Sequence, residues 1–187
     1  LTLRYDPSLT PNLPKKSWND FVTNNDIPNL DTIENLISKN IKQNLENFDG
    51  KKLCLALSGG VDSTLILASI RKLFPDLEIE AISIKFANSV DETTIASKIA
   101  ERYQANHHII ELENYLSELP NAISKVQLPF WDLHWYYVTK KSSTISNILA
   151  SGDGGDEIFS GYTFRYKKFL SLTNVNSSPI EKVKAYL

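Results

Sequence analysis

Four short apolar runs limit what this chain can fold into. They are KLCLAL (52–57), EIEAISIKF (78–86), HHIIEL (107–112) and NILAS (147–151), and stretches of helical periodicity separate them. Strands that alternate with helices pair in parallel, because the chain crosses a sheet face between one strand and the next. The expected fold class is therefore α/β: a parallel sheet of about four to five strands with helices on both faces. The helices between the runs are read at 64–74, stopped by Pro75, and at 91–103, with Ile95, Ala96, Ile99 and Ala100 as the inner stripe. Further helical patterns cover roughly 114–126, 132–146 and 156–170. Ahead of the first run, Ile33, Leu36, Ile37, Ile41 and Leu45 recur at helical spacing, with Asp31 placed as the cap and Gly50 as the stop.

The flanks read differently. Residues 1–30 carry Pro7, Pro11, Pro14 and Pro28 among Asn, Ser and Asp, which suits an extended arm or linker. The working domain is then 31–170. The last segment, SSPIEKVKAYL, looks like a helix just begun, with Ser178 as cap and Pro179 in the first turn. Residues 171–187 are thus expected to start a truncated C-terminal helical part. Leu1 as first residue and the lack of any methionine also suggest a piece of a longer protein.

Composition narrows the function classes. With 42% hydrophobic and 22% charged residues in 187, the chain has the make-up of a soluble globular domain with one core. A net charge of -2 provides no basic field for a nucleic-acid backbone, so no nucleic-acid partner is expected. One cysteine excludes a disulfide framework and a CxxC redox or zinc pair. No apolar run has membrane-spanning length and no signal-peptide core opens the chain, so no membrane partner and a cytoplasmic address are expected.

The chemistry is concentrated where two of the runs end. LALSGGVDST, 55–64, leaves the first strand at Ser58. In a parallel sheet, ligands sit beyond the carboxyl ends of the strands. Gly59 and Gly60 let the backbone turn tightly and approach a ligand. The amides that follow open the next helix, and exposed amides with the helix dipole make an anion site. Ser58, Ser63 and Thr64 add hydroxyls. Asp62 alone would repel a phosphate, but as a Mg²⁺ ligand it would bring the charge that neutralises one. A plain Gly-Gly turn with Asp62 as helix cap would need neither both glycines nor three hydroxyls. The loop is not a Walker A loop, since no lysine follows the glycines, and it lacks the third glycine of the dinucleotide pattern. The second stretch, SGDGGDEIFSGY at 151–162, follows the fourth run. Asp153, Asp156 and Glu157 lie between glycines there, an expensive crowding of negative charge unless a cation is present.

SGGVDS resembles the pyrophosphate loop of the N-type ATP pyrophosphatases (PP-loop proteins). SGDGGDEIFSGY resembles the second signature of the asparagine synthetase family, and both motifs stand in that family's order. The segment DETTIASKIAERYQANHHIIEL, 91–112, is similar to the family's stretch between them. The resemblance covers about 31–170 and points to the synthetase domain, with an adenine nucleotide alpha hydrolase-like, Rossmann-like fold.

The resemblance implies specific roles. Ser58, Gly59, Gly60, Asp62 and Ser63 would hold the pyrophosphate of ATP. Ala56, Ile84, Ser151 and Gly152 line up with nucleotide contacts, mostly through backbone. Asp62 and Asp156 fall where the family holds Mg²⁺, and Asp153 where it has an acid needed for adenylate formation. The implied activity is that of an AMP-forming carbon–nitrogen ligase of asparagine biosynthesis. A carboxylate, in the family most often the aspartate side chain, becomes an acyl-adenylate with release of pyrophosphate, and ammonia then displaces AMP. Full members carry a glutaminase domain with an N-terminal cysteine nucleophile and act as amidotransferases. Here the sole thiol, Cys54, lies within a predicted strand and reads as a core residue. Free ammonia, or ammonia from a separate glutaminase domain or subunit, is therefore expected. A homodimer is one assembly open to it. Another PP-loop adenylating enzyme, tRNA-modifying or beta-lactam synthetase-like, and a non-catalytic ATP-binding relic remain the alternatives.

Other candidates read as structural. His107, His108 and His134 lack metal-ligand spacing, and adjacent His107 and His108 point to opposite faces of a strand. Trp131, Trp135, Tyr136 and Tyr137 suit either a substrate wall or a core, and RYKK (165–168) either a phosphate contact or a solvated helix face. Before the proline of VQLPFWDLHW the family often has an acid, where this chain has Gln127.

Overall fold

β1 (Lys52–Ala56) is an inner strand of a four-stranded parallel sheet. Leu53, Cys54 and Leu55 are all buried, so both faces of this strand are covered. β2 (Glu78–Phe86) pairs along one side of β1, from Lys52 opposite Glu78 to Ala56 opposite Ile82. β3 (Asn106–Leu112) pairs with the far side of β2. β4 (Leu149–Ala150) pairs with the other side of β1, opposite Cys54 and Leu55. The order β3-β2-β1-β4 means that the chain builds outward from β1 in one direction and then jumps back to its opposite side. The computed structural model describes residues 29–46, 48, 50–87, 91–127, 132–159 and 161–186. The expected arm lies outside the described residues except for Asn29 and Leu30, and so does Trp131.

Alternation along the strands sends the side chains to two cores. Leu53, Leu55, Ile79 and Ala81 face one way and pack with Ile41 of α1 (Leu30–Leu45), Leu67 and Ile70 of α2 (Val61–Leu73), and Ala96 and Ala100 of α3 (Thr93–Arg102). Cys54 and Ile82 face the other way and pack with Val138 of α5 (Leu133–Ser142). Ala122 of α4 (Leu119–Val126) joins Leu133, Tyr136 and Tyr137 on that side. Helices therefore cover both faces. After β4 come α6 (Gly155–Phe159), α7 (Thr163–Leu172) and α8 (Pro179–Tyr186). Arg71 fastens the ends of α2 and α3, donating to the carbonyls of Pro75, Leu77, Tyr103 and Gln104 at 2.7–3.0 Å.

Several element ends differ from the sequence expectation. The cap of α1 is Asn29, whose side chain accepts from the Thr32 amide at 2.7 Å; Asp31 sits in the first turn, where its charge meets the positive end of the dipole. α1 stops at Leu45, so Gly50 does not terminate it. α2 starts at Val61 rather than 64, which puts Asp62 and Ser63 inside its first turn. The inner stripe of α3 is Thr93, Ala96 and Ala100, with Ile99 partly buried and Ile95 turned out to solvent. The pattern at 114–126 divides into a 3-10 turn, Tyr115–Glu118, and α4, and α5 ends at Ser142 rather than 146. The expected helix 156–170 breaks around Gly161, whose amide donates to the carbonyl of Asp156 at 2.9 Å. The start of α8 matches the expectation: the Ser178 hydroxyl accepts from the Glu181 amide while the Glu181 carboxylate accepts from the Ser178 amide, a reciprocal capping box.

One charged cluster is built into the sheet. Glu80 on β2 is 3% exposed. Its carboxylate accepts from His108 Nε2 at 2.5 Å, Lys52 Nζ at 2.9 Å and Asn106 Nδ2 at 3.2 Å. Burial by itself would raise this carboxyl, but the three donors outweigh it and hold it at about 2, below the usual 4.5. A carboxyl depressed in the folded state stabilises the protein above its unfolded value, and that stabilisation disappears as pH falls toward the folded value. Melting temperature is therefore expected to drop between pH 4.5 and 2 more steeply in the native chain than in Glu80→Gln. Parallel curves in a pH series of thermal melts would contradict this account.

Candidate functional site

The order of the sheet selects where a ligand can sit. The chain leaves β1 into α2 and crosses to β2 on one side, whereas β4 lies on the other side of β1 and leads to α6. A crevice opens at such a switch point beyond the carboxyl ends of the strands. Both glycine-rich stretches sit there.

The first loop leaves β1 through Leu57 and turns at Gly59, whose φ of +82° belongs to the left-handed region that favours glycine. Gly60 caps α2 with no side-chain bond to the helix. The hydroxyls brace the loop: Ser58 Oγ and Ser63 Oγ are 3.1 Å apart, and Ser63 Oγ also accepts from the Ser58 amide at 3.3 Å. Thr64 Oγ1 donates to the Gly60 carbonyl at 2.7 Å, so this hydroxyl is spent inside the helix and not on a ligand, contrary to the sequence expectation.

The second loop lies directly on the first turn of α2. A Cβ at Gly152 would stand 2.6 Å from the Ser63 amide nitrogen and 2.7 Å from the Asp62 carbonyl carbon. A Cβ at Gly155 would stand 2.5 Å from the Asp62 Cγ. Two backbones and one carboxylate thus meet with no space for a methyl group. The glycines of the second stretch serve this contact as well as any ligand.

The two loops border adjoining cavities. The larger, about 430 Å³, is walled by Ala56, Ser58, Asp62, Ser63, Ile84, Ser151, Gly152 and Asp153. The smaller, about 250 Å³, shares Asp62, Gly152 and Asp153 and adds Asp156, Glu157 and Tyr162. Gly59 and Gly60 shape the first loop without lining either cavity. Periodicity, had it been followed further, would have found more of the wall. Ile82 and Phe86 flank Ile84 at spacing two along β2, and His134 and Val138 project from the same side of α5 as Trp135, which the sequence already offers as a wall residue. Glu92 and Thr93 come from the start of α3 and carry no such signal.

No lysine or arginine among the described residues forms an ion pair with Asp62, Asp153, Asp156 or Glu157. Glu157 instead accepts from the Tyr162 hydroxyl at 2.6 Å, which lowers the carboxyl and pushes the phenol up to about 12. Among the described residues, no group of three His, Cys, Asp or Glu converges as a ready-made metal site. Mg²⁺ does not require one. It keeps several waters and commonly takes one or two carboxylates plus phosphate oxygens. Asp62 and Asp156 supply two hard oxygen donors on one cavity wall and therefore fit that ion.

The remaining candidates fall into place as structure. Cys54 is fully buried, and burial pushes its thiol up, so it suits a core residue and not a nucleophile. His107 and His108 do face opposite ways. The Ser83 hydroxyl donates to the Leu57 carbonyl at 2.5 Å, leaving its oxygen to accept from His107 Nε2 at 2.8 Å; Ser97 then donates to Nδ1 at 2.9 Å. Burial lowers His107, and this neutral relay steadies the residue just before the first loop. Trp135 reaches the larger cavity, whereas Tyr136 and Tyr137 are in the core. Gln127 ends α4 in the left-handed region, at φ 58°. No helix among the described residues is long and apolar enough to cross a membrane.

Fold and crevice together define an α/β protein of the adenine nucleotide alpha hydrolase-like kind. Solved structures that share the fold include two synthetases. Against the glutamine-dependent NAD+ synthetase of Acinetobacter baumannii, determined with ADP, the TM-score is 0.56 at 16% identity, over 76% of this chain and 29% of that one. Against the NH3-dependent NAD synthetase of Campylobacter jejuni it is 0.51 at 17% identity, over 73% and 62%. The chain belongs to the asparagine synthase family, whose model matches residues 33–183. It is 28% identical over 136 residues to the glutamine-hydrolyzing asparagine synthetase 1 of Bacillus subtilis, covering 70% of this chain and 20% of that protein. It is 33% identical over 112 residues to a putative glutamine-hydrolyzing asparagine synthetase 2 of Methanocaldococcus jannaschii, covering 57% and 22%. The chain thus spans about a fifth of the length of these two relatives.

The contact between the loops makes a testable distinction among glycines. Gly152→Ala forces backbone apart and is expected to destabilise the fold by ~1–3 kcal/mol, the usual range for overpacking. A Cβ at Gly60 would meet only the Ser58 hydroxyl, at 3.3 Å, so Gly60→Ala is expected to be much milder. Urea denaturation of the two variants measures the difference, and equal effects would deny the close approach.

Proposed function

We propose that this chain is the ATP-using part of an amide-forming ligase, in which a carboxylate is activated as an acyl-adenylate and then receives ammonia. The observation that carries this reading is the meeting of Gly152 and Gly155 with Asp62 and Ser63, which closes an open-amide helix start and three aspartates around one crevice. In the first step a carboxylate oxygen of the substrate attacks the α-phosphorus, and the bond from that phosphorus to the bridging oxygen of the β-phosphate breaks. Pyrophosphate leaves with the electron pair. In the second step the ammonia lone pair attacks the acyl carbon, AMP departs, and the nitrogen loses a proton.

The residues present suit these tasks. The unbonded amides at the start of α2 face the leaving pyrophosphate, where fixed dipoles act strongly and need no rearrangement. Ser58 and Ser63, tied to each other, hold those amides in place. Ala56, Ile82 and Ile84 give the crevice an apolar floor for the base of the nucleotide. Asp153 stands between the two cavities, next to both the phosphates and the attacking carboxylate, which suits a role in adenylate formation. Asp62 and Asp156 would hold Mg²⁺, whose charge offsets that of the phosphate oxygens when it is bound. Catalysis of this kind relies mainly on positioning and on electrostatics.

Aspartate as the acceptor, ammonia or a glutaminase partner as nitrogen source, and a cytoplasmic setting belong to the same proposal. The matched relatives named as glutamine-hydrolyzing asparagine synthetases support the first two. An ammonia-dependent ligase with another carboxylate is the second reading. It is favoured by 24% identity over 160 residues to the NH(3)-dependent NAD(+) synthetase of Malacoplasma penetrans, covering 79% of this chain.

Incubation with ATP, Mg²⁺, ammonium and single amino acids, followed by mass spectrometry, is expected to give AMP, pyrophosphate and one amidated acid. ADP as the sole nucleotide product would refute the proposal. Asp62→Asn is expected to lower ATP turnover by about two orders of magnitude or more, given the several kcal/mol typical of a lost metal contact. It should also weaken Mg²⁺ binding in the presence of pyrophosphate, as measured by calorimetry.

A further inference from the structure

Arg165 lies in the first turn of α7, against Tyr162, a residue of the smaller cavity's wall. Its guanidinium carbon is 5.1 Å from the centre of the Tyr162 ring and 5.8 Å from that of Phe164. Tyr162 lines the cavity together with Asp62, Asp153, Asp156 and Glu157, and its hydroxyl is fixed on Glu157. Arg165 is exposed, and among the described residues it forms no ion pair, although Glu157 belongs to the same rim. The positive end of the α7 dipole opposes a cation there, and no acid in the first turn of the helix offsets it. A guanidinium in that position adds little to the fold. It is stacked on an aromatic face, no hydrogen bond from it to another described residue is seen, and its planar set of donors matches two phosphate oxygens at once.

Aromatic stacking also limits where the arginine can go. It holds the long side chain near the cavity mouth and lessens the rotamer freedom lost on binding. The cavity wall itself has only acids for ionisable groups and so offers a polyanion no side-chain cation. A ligand entering with its own metal would still present phosphate oxygens toward the Tyr162 rim, and Arg165 is the charge nearest to that rim along α7.

We infer that Arg165, held on Tyr162 at the mouth of the acid-lined cavity, is a pyrophosphate-binding residue of this site; the assignment rests on the adenylate-forming reading. It adds a side-chain cation to the amides of the first loop. Lys167 and Lys168 share the helix, but no aromatic contact directs them to the cavity.

Calorimetric titration with Mg²⁺–pyrophosphate tests this on the chain as it exists. The native chain is expected to bind. Arg165→Gln should bind roughly tenfold more weakly, Arg165→Lys roughly threefold, and Lys167→Gln within about twofold of native. Thermal melting of each variant checks folding, and Arg165→Lys keeps the test alive if the glutamine variant does not fold. Unchanged affinity in either Arg165 variant overturns the inference while leaving the adenylate-forming reading intact. An equal loss in Lys167→Gln also overturns it, because diffuse charge then explains the effect. No binding by the native chain removes the adenylate-forming reading, and the role of Arg165 with it.

Discussion

Backbone against backbone is the constraint on which the site depends. The chain after β4 rests on the first turn of α2 with no intervening side chain, so Gly152 and Asp62 share a position that tolerates nothing larger than hydrogen. Everything on the crevice follows from that approach. It brings Asp153 and Asp156 onto the same cavity lining as Asp62, and Asp62, Gly152 and Asp153 border both cavities. A wider gap would leave two unrelated loops, each with a surplus of negative charge.

The sheet makes that approach possible by keeping its two ends chemically distinct. At the amino end of β1 and β2, Glu80 and Glu78 are matched by Lys52, with His108 and Asn106 completing the set around Glu80. At the carboxyl end, Lys85 pairs with Asp91 and Glu111, but among the described residues Asp62, Asp153, Asp156 and Glu157 have no cation partner. The first arrangement stabilises the fold, and the second leaves charge available for function. A buried carboxylate with three donors is tolerable in the core, whereas unpaired ones are tolerable only where solvent or a ligand can reach them.

Much of this was legible in the sequence, for physical reasons that differ by element. β2 spans the expected 78–86, and β1 and β3 each come within one residue of the expected ends; β1 is legible as an apolar run buried on both faces, whereas the edge strand β3 alternates between half-buried and exposed positions. The two glycine-rich loops stood out because turns that need bare backbone cannot be disguised. The cap of α1 was misassigned to Asp31 because Asn29 and Asp31 are both good caps, and only the bond to Thr32 decides between them. Ile95 was expected inside, but α3 is rotated so that Thr93 faces the core, a choice made by packing and not by propensity. The break at Gly161 is a local turn closed on Asp156 that helical periodicity overlooks, and the Glu80 cluster depends on contacts between strands that periodicity does not contain. Of the cavity residues on helices, Trp135 of α5 is among the wall candidates read from the sequence, whereas Glu92 and Thr93 at the start of α3 carry no periodic signal.

The two halves of the crevice are unequally anchored. The loop after β1 grows from a strand of five residues, with partners on both sides and both faces buried. The loop after β4 grows from a strand of two residues that pairs with β1 alone, helped by the Ile148 carbonyl accepting from Cys54 and by the Ser146 hydroxyl donating to Lys52. Detaching the second half needs far fewer broken bonds than unfolding the sheet, so it can behave as a separate cooperative unit. Changes in 143–150, remote from any phosphate, can then alter chemistry by shifting how often the crevice is whole. A substitution along that short edge therefore acts on the reactive loop without touching it.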